Sequence, residues 1–458
     1  MAYYTWKSYK IKVNPWAIFA ALKNERYCFF LDSSLNTAGL GRYSFLGIEP
    51  FYILKTRGKS PFTRLREVIS RYQIALPKNG FPFLGGAVGY LSYDLGLILE
   101  EKVKALPKQG GLAIPDCFFG FYNTALCIDH LKDELHIFCV GFPEAKAHLA
   151  KALCERNFKK IYRLLSNVNP RQNFSAAAQS QAPEAPGQLN SNFSREEYLA
   201  AVKKAKDYIR RGDIYQVNLS QQFTAKSALS GLEIYRRLRQ LSPSSFGSYF
   251  DAGEFQILSS SPESFLRLQD GIVTTRPMKG TRPRAKDKRK DSRLRQELLK
   301  SAKDRAELTM IVDLERNDLG RVCNYDSVKV TRLRQMEQYN TVFQTTATVC
   351  GRLHKNRDRV DLLRACFPGG SITGCPKIRA MEIIEELEPV RRNVYTGCLG
   401  YLSFGGDMDF NILIRTILKK ENQLYFGVGG GIVADSRPED EYTETLVKAR
   451  AMVEAANG

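Results

Sequence analysis

The sequence contains no run of roughly 18 apolar residues, so no membrane-crossing helix is predicted. Its start, Met1-Ala2-Tyr3-Tyr4-Thr5-Trp6-Lys7, lacks the apolar stretch of a secretory signal. Cysteine pairs at CxxC spacing are missing, and the ten cysteines are scattered along 458 residues. A chain this long needs no disulfide staples, so reduced thiols in a cytoplasm are expected. Histidine is scarce. His130, His136, His148 and His354 are not spaced as a zinc pair with one another or with a cysteine. A metal, if this chain uses one, should therefore sit on oxygen ligands, which favours magnesium. No cysteine stands in the Gly-x-Cys-x-Gly elbow of a glutaminase.

What the sequence has in excess is positive charge, a net +20. The densest basic run, Arg282 to Lys300, has no interleaved aromatic residues. It reads as a solvated loop and helix, with a mild attraction for small anions, ahead of a nucleic-acid surface. Neither a nucleic-acid nor a membrane partner is expected.

The length predicts two lobes or one large composite sandwich. Residues 1–166 mix strand and helix patterns, with strand-type runs in Ala20 to Leu31 and Leu126 to Val140 and a glycine-rich buried strand in Gly85 to Tyr93. Small, polar and proline residues mark 167–192 as a linker. In the second region, 193–456, Ser194 and Glu197 predict a capping box. Tyr198, Val202, Ala205 and Ile209 follow on one helix face, and Gly212 closes the helix. Ile214 to Ser220 reads as a strand with Tyr215, Val217 and Leu219 on one face and Gln216 and Asn218 on the other. Without a regular βαβ rhythm the expected class is α+β.

Lys279 is the residue of most chemical interest. It follows the alternating stretch Gly271 to Thr275 within Arg276-Pro277-Met278-Lys279-Gly280-Thr281, which predicts a strand running into a tight turn. An amine there is a nucleophile once its proton is removed. Two acidic pairs, Asp304 with Glu307 and Glu441 with Glu444, each face one way if helical. Such pairs could supply magnesium with carboxylates, although either pair alone reads as a solvated face. Phe367 to Lys377 is glycine-rich and runs into a helix expected over Lys377 to Leu387, whose first N–H groups suit an anion. Gly429-Gly430-Gly431 follows a strand expected over Gln423 to Val428 and leaves bare backbone for a ligand. Arg415 ends a strand expected from Asn411, and a guanidinium fork suits a planar carboxylate.

These segments, in this order, resemble the chorismate-utilising enzymes. The signatures are Lys303 to Glu307, Asp313 to Arg321, Phe367 to Lys377, Ile414-Arg415-Thr416 and Gly429 to Glu444. The resemblance is carried from about residue 190 onward, and the first third is compatible with it. It implies a two-lobed β-sandwich with flanking helices. Within the family, lysine at 279 resembles the large subunits of the aminodeoxychorismate branch, whereas the anthranilate branch is expected to carry alanine. Gln216 supports an amine-adding branch, since relatives that activate water carry lysine there.

By the resemblance, Lys279 would attack C2 of chorismate and Glu263 would exchange protons with the lysine or the leaving C4 hydroxyl. Glu307 and Glu444 would be the principal magnesium ligands, with Asp304 and Glu441 close by. Gln216, Thr281, Ser371, Thr373, Tyr395, Arg415 and the backbone of Gly429, Gly430 and Gly431 would line the substrate pocket. Gln344 stands where relatives commonly have histidine. Glutamine cannot give up a proton as an acid, which leaves that task to Glu263 or water. A separate glutamine amidotransferase subunit would supply ammonia. The resemblance also implies a tryptophan site at Ser33, Tyr43, Ser44, Ser245, Phe246 and Gly247.

Overall fold

The computed structural model describes residues 3–10, 12–35, 40–58, 60–75, 81–108, 111–166, 168, 189–339 and 342–457. Most of the linker expected at 167–192 lies outside these residues. Its last part, Asn190–Ser191, is a short strand paired with Phe223 and Thr224. No helix among the described residues is long and apolar enough to cross a membrane. All ten cysteines are free.

Two antiparallel sheets, of 12 and 10 strands among the described residues, pack against each other and carry helices on their outer faces. Each sheet takes strands from both sides of the linker. Phe29–Asp32 pairs with Phe246–Asp251 in the larger sheet. Gly86–Leu91 pairs with Cys398–Ser403 in the smaller. Phe29, Phe45, Phe83, Tyr90, Phe118 and Tyr122 fill the space between them, with Phe29 edge-on to Tyr122 at 4.6 Å. Strands this rich in aromatic and β-branched residues on both faces are stable only when covered on both sides.

The local signals are realised where side chains act on their own backbone. Ser194 and Glu197 form the capping box of helix Arg195–Arg210, which buries Tyr198, Val202 and Ala205, and Gly212 leaves it at φ +81°. Leu126 to Val140 is a hairpin of Thr124–Asp129 and Glu134–Val140. Four boundaries differ from expectation. Ala20 belongs to helix Pro15–Leu22, started by the Asn14 side chain and Pro15, so the strand begins only at Phe29. Tyr215 precedes strand Gln216–Lys226 and is 72% exposed, while Val217 and Leu219 are buried. The glycines 429–431 lie inside strand Gln423–Ile432, paired with Asn218 to Ser220, and a Cβ on Gly429 would strike that partner strand at the Leu219 carbonyl. Arg415 stands between Met408–Ile412 and Thr416–Lys420 with φ +50°, a left-handed turn that breaks the expected strand.

The segment around Lys279 continues as strand where a tight turn was expected. Ile272–Arg276 and Met278–Pro283 both pair with the long strand Val342–Arg352. Pro277 interrupts the ladder because it has no N–H, and its carbonyl still accepts from Ala347. The register then shifts between Lys279 and Thr281, where Gly280 has φ +72°. The bulge re-aims the lysine without ending the strand.

Gly89 shows how tightly the sheet centre is packed. A Cβ there would lie 1.9 Å from the Phe118 carbonyl oxygen, which is fixed backbone. Gly89→Ala is expected to cost about 3 kcal/mol, the upper end of overpacking penalties. A denaturant titration checks this, and an unchanged midpoint would contradict the packing described.

Candidate active site

Four elements meet at Lys279. The bulged strand carries the lysine. Helix Ala302–Gly320, capped by Ser301, carries Asp304 and Glu307. Helix Pro438–Asn457 carries Glu441 and Glu444. The short helical turn Gly370–Ile372 supplies a carbonyl, and Lys279 Nζ donates to Ser371 O at 3.2 Å. Burial lowers the lysine pKa, while Glu307, Glu263 and Glu444 oppose that shift and Lys448 adds to it.

Glu263 precedes strand Ser264–Gln269 and is 4% exposed. Burial raises its pKa, against hydrogen bonds from Ser371 and the Met278 amide and the charge of Lys279. The same desolvation thus makes the amine easier to deprotonate and the acid easier to protonate. Thr281 Oγ1 accepts from Gln344 Nε2 at 3.3 Å, and Gln344 is buried. Thr373 turns its hydroxyl onto the carbonyls of Gly369 and Gly370, at 3.0 and 3.3 Å, and so braces the turn from inside.

The acidic pairs are brought together across two glycines. A Cβ on Gly280 would lie 3.0 Å from the Asp304 side chain. One on Gly430 would lie 3.0 Å from Glu441 Oε2 and 3.7 Å from Glu444 Oε1. Burial raises the pKa of Glu307, with Lys279 lowering it and Asp304 and Glu444 raising it further. Each carboxylate has a protein partner. Lys448 Nζ stands 2.6 Å from Glu444, Lys303 3.9 Å from Glu307, and Arg282 3.0 Å from Asp304. Ser436 donates to Glu441 at 2.6 Å. Among the described residues no closed set of three or more metal-ligating side chains is assembled. The donors nevertheless suit a hard divalent cation: all are carboxylate oxygens, they come from two helices, and two glycines leave space beside them. Lys448 was missed in the sequence, because a lysine four residues after a glutamate on a helix looks like an ordinary surface pair.

Gln216 faces Gly431, where a Cβ would lie 2.3 Å from its amide nitrogen. Both its amide atoms are buried without a hydrogen-bond partner, as expected of a group reserved for a ligand. Gly429 lies against Ser220 and the Leu219 carbonyl, so its role in the fold is backbone approach. Tyr395 lies over Gly427, whose missing side chain makes room for the ring. Arg415 donates to Ser242 Oγ at 3.3 Å, and burial lowers its pKa. Among the described residues no hydrogen bond joins Tyr395 or Arg415 to Lys279.

A second cavity lies between the sheets. Ser33, Tyr43, Ser245, Phe246 and Gly247 line it. Ser44 does not, because its hydroxyl is turned to His130 at 2.8 Å and to the Ser33 amide at 3.1 Å. Asp409 also lines the cavity, with a buried oxygen lacking a partner and a pKa pushed up to about 6 by burial. Its place in an alternating strand was the sequence signal for it.

A folded frame of two large antiparallel sheets, with acids and a half-buried amine between flanking helices, defines a family. The chain belongs to the chorismate-binding enzymes: the family model "chorismate binding enzyme" matches residues 26–454. It is an enzyme acting on chorismate. Anthranilate synthase component 1 of Thermus thermophilus is 42% identical over 452 residues, covering 96% of this chain and 95% of that protein. Aminodeoxychorismate synthase component 1 of Klebsiella aerogenes is 38% identical over 453 residues, covering 95% of each. The crystal structure of anthranilate synthase component I from Streptococcus pneumoniae superposes with a TM-score of 0.79 at 32% identity, covering 92% of this chain and 93% of that one. The fold extends to the menaquinone-specific isochorismate synthase of Escherichia coli, with a TM-score of 0.74 at 17% identity, covering 99% of this chain and 95% of that one.

Further along the helix that bears Asp304 and Glu307, Glu315 is buried and accepts from Thr275 Oγ1 at 2.9 Å. Burial, then the charge of Glu263, holds its pKa well above the usual 4.5. An acid raised in this way binds more protons folded than unfolded, so stability falls as pH rises through the unfolded value. Glu315→Gln should therefore melt higher than the parent at about pH 8, with the gap closing below about pH 4.5, where both side chains are neutral. Thermal melts across pH check this, and a gap that does not change with pH would contradict it.

Proposed function

We propose that this chain is the chorismate-converting component of an aminodeoxychorismate synthase, forming 4-amino-4-deoxychorismate from chorismate and ammonia for para-aminobenzoate and folate synthesis. The observation that carries the reading is the Lys279 amine, desolvated, directed by the Ser371 carbonyl, and within the electrostatic reach of Glu263, Glu307 and Glu444.

Lys279 Nζ adds to C2 of chorismate as the C4 hydroxyl leaves. Glu263, whose pKa burial raises, serves as the acid and gives its proton to the departing oxygen, which leaves as water. The resulting carboxylate takes a proton from the new C–N nitrogen. Ammonia then adds at C4 and the lysine nitrogen is expelled from C2, with Glu263 passing the proton back. The free amide of Gln216, the hydroxyls of Thr281 and Ser371, and Thr373 contribute to the substrate pocket. Tyr395, Arg415 and the Gly429 to Gly431 backbone hold the enolpyruvyl carboxylate. Glu307 and Glu444, with Asp304 and Glu441, would hold magnesium, which when bound neutralises a substrate carboxylate. Lys448 and Lys303 would have to move aside for it. The amidotransferase subunit that releases ammonia from glutamine is a separate chain. The cavity lined by Ser33, Tyr43 and Phe246 takes tryptophan, with Asp409 placed for its ammonium group. The ten free cysteines suit the cytoplasm, where thiols stay reduced.

The alternative is anthranilate synthase component I. Overall identity does not separate the two, since relatives of both names match nearly the whole chain at 38% and 42%. The amine at 279 favours the first reading, because alanine there could form no adduct.

The product decides. With chorismate, magnesium and ammonium, mass spectrometry should find aminodeoxychorismate without the amidotransferase; anthranilate with pyruvate would overturn the assignment. Lys279→Ala should lose most activity. Glu263→Gln should lose about 100- to 10,000-fold in kcat, the range for a general acid–base group.

A further inference from the structure

Arg392 lies deep beside the site and has no part in the steps above. Its five guanidinium N–H donors are all used. Nε and Nη2 donate to Glu388 at 2.8 and 2.6 Å. Nη2 also donates to the Asn218 carbonyl at 2.7 Å, and Nη1 to Ile372 O at 3.0 Å and Thr396 Oγ1 at 3.3 Å. Its plane lies over the Tyr93 ring at 4.6 Å and near the Tyr395 ring at 5.9 Å. Glu388 is held in turn by the Ser220 amide and hydroxyl, both at 2.8 Å. A guanidinium saturated in a fixed fork has one orientation, so whatever it binds is fixed with it.

What it binds is the turn that directs Lys279. Arg392 holds Ile372 O and Asn218 O. Asn218 holds the same turn at two further points: its amide donates to Thr373 O at 2.8 Å and its side-chain Nδ2 to Ser371 O at 3.1 Å. The Ser371 carbonyl is also the acceptor for Lys279 Nζ. The amine's acceptor is thus fastened by the strand residue Asn218, and the next carbonyl of the same turn, that of Ile372, by a buried ion pair.

We infer that Arg392 and Asn218 are positioning residues that aim the Lys279 amine by fixing the Ser371 carbonyl. Neither takes part in the steps at the substrate. The inference rests on the reading of Lys279 as nucleophile for its effect on turnover, but not for its effect on the amine itself.

The test uses the full chain with Asn218→Ala and Arg392→Lys. Asn218→Ala keeps both backbone bonds and removes only the one to Ser371 O, so the fold should survive even if Arg392→Lys does not fold. Brief acetylation with acetic anhydride at one pH, followed by peptide mass spectrometry, gives the labelling of Lys279 relative to exposed Lys288. In folded Asn218→Ala this ratio should change at least fivefold. The kcat for the ammonia-dependent reaction should fall by at least tenfold with KM within threefold. A labelling ratio within twofold of the parent in folded Asn218→Ala would overturn the inference. A changed ratio in a protein that makes no aminodeoxychorismate would uphold the positioning and remove the proposed function.

Discussion

A half-buried amine and several carboxylates, some of them fully buried, gathered at one place constrain everything else in this molecule. Each charged group alone would be costly to bury, and each eases the burial of the other. The balance is incomplete: desolvation still lowers the Lys279 pKa and raises those of Glu263 and Glu307. That imbalance is chemically useful. It brings a base and an acid toward the same proton affinity, the condition under which protons move between them at low cost. A surface lysine with the same sequence neighbours would stay a protonated, solvated cation.

The fold keeps these groups close by removing side chains as well as by placing them. Gly280 and Gly430 let two acid-bearing helices approach the strands from different sides. Gly427 gives the Tyr395 ring its seat, and Gly431 makes room for the buried Gln216 amide. Because strands from both ends of the chain share each sheet, the helices are anchored in one continuous frame. The aromatic packing between the sheets therefore supports catalytic geometry as well as stability.

Much of this was legible in the sequence where one residue acts on its near neighbours. The Ser194 capping box, the hairpin from Leu126 to Val140 and the acid pairs on helices all depend on short spacings. The candidate site could be proposed from the sequence because its residues come in dense motifs. What stayed hidden depends on contacts across the chain. Lys279 was read into a turn because glycine and proline flank it, yet Val342–Arg352 captures both flanking segments and leaves a bulge. Glycines 429–431 were read as following a strand, because only the opposite strand reveals why they lie inside one. Lys448 and Arg392 had no local mark at all. Their meaning comes from partners far away in sequence.

Members of this family share a frame that extends to an isochorismate synthase at 17% identity. Such a frame can gather an anionic ring beside acids and bare backbone, but it does not by itself choose where a new bond forms. That choice falls to the side chains that reach the ring. In the function proposed above, an amine at 279 offers a nucleophile on the protein and so opens a two-step route, in which an enzyme nitrogen leaves from the position it first attacked. A methyl group at that place would leave only direct attack by the external nucleophile. In the proposed reading the two chemistries differ at residue 279, while relatives of both names match nearly the whole chain at 38% and 42% identity. Such an amine must also be aimed, since a reacting atom misplaced by about 1 Å can forfeit about a hundredfold in rate. A lysine on its flexible stem does not aim itself. The neighbouring turn, held by Asn218 and by the saturated guanidinium of Arg392, gives the amine a fixed acceptor, so specificity at residue 279 depends on residues outside the motif that reveals it.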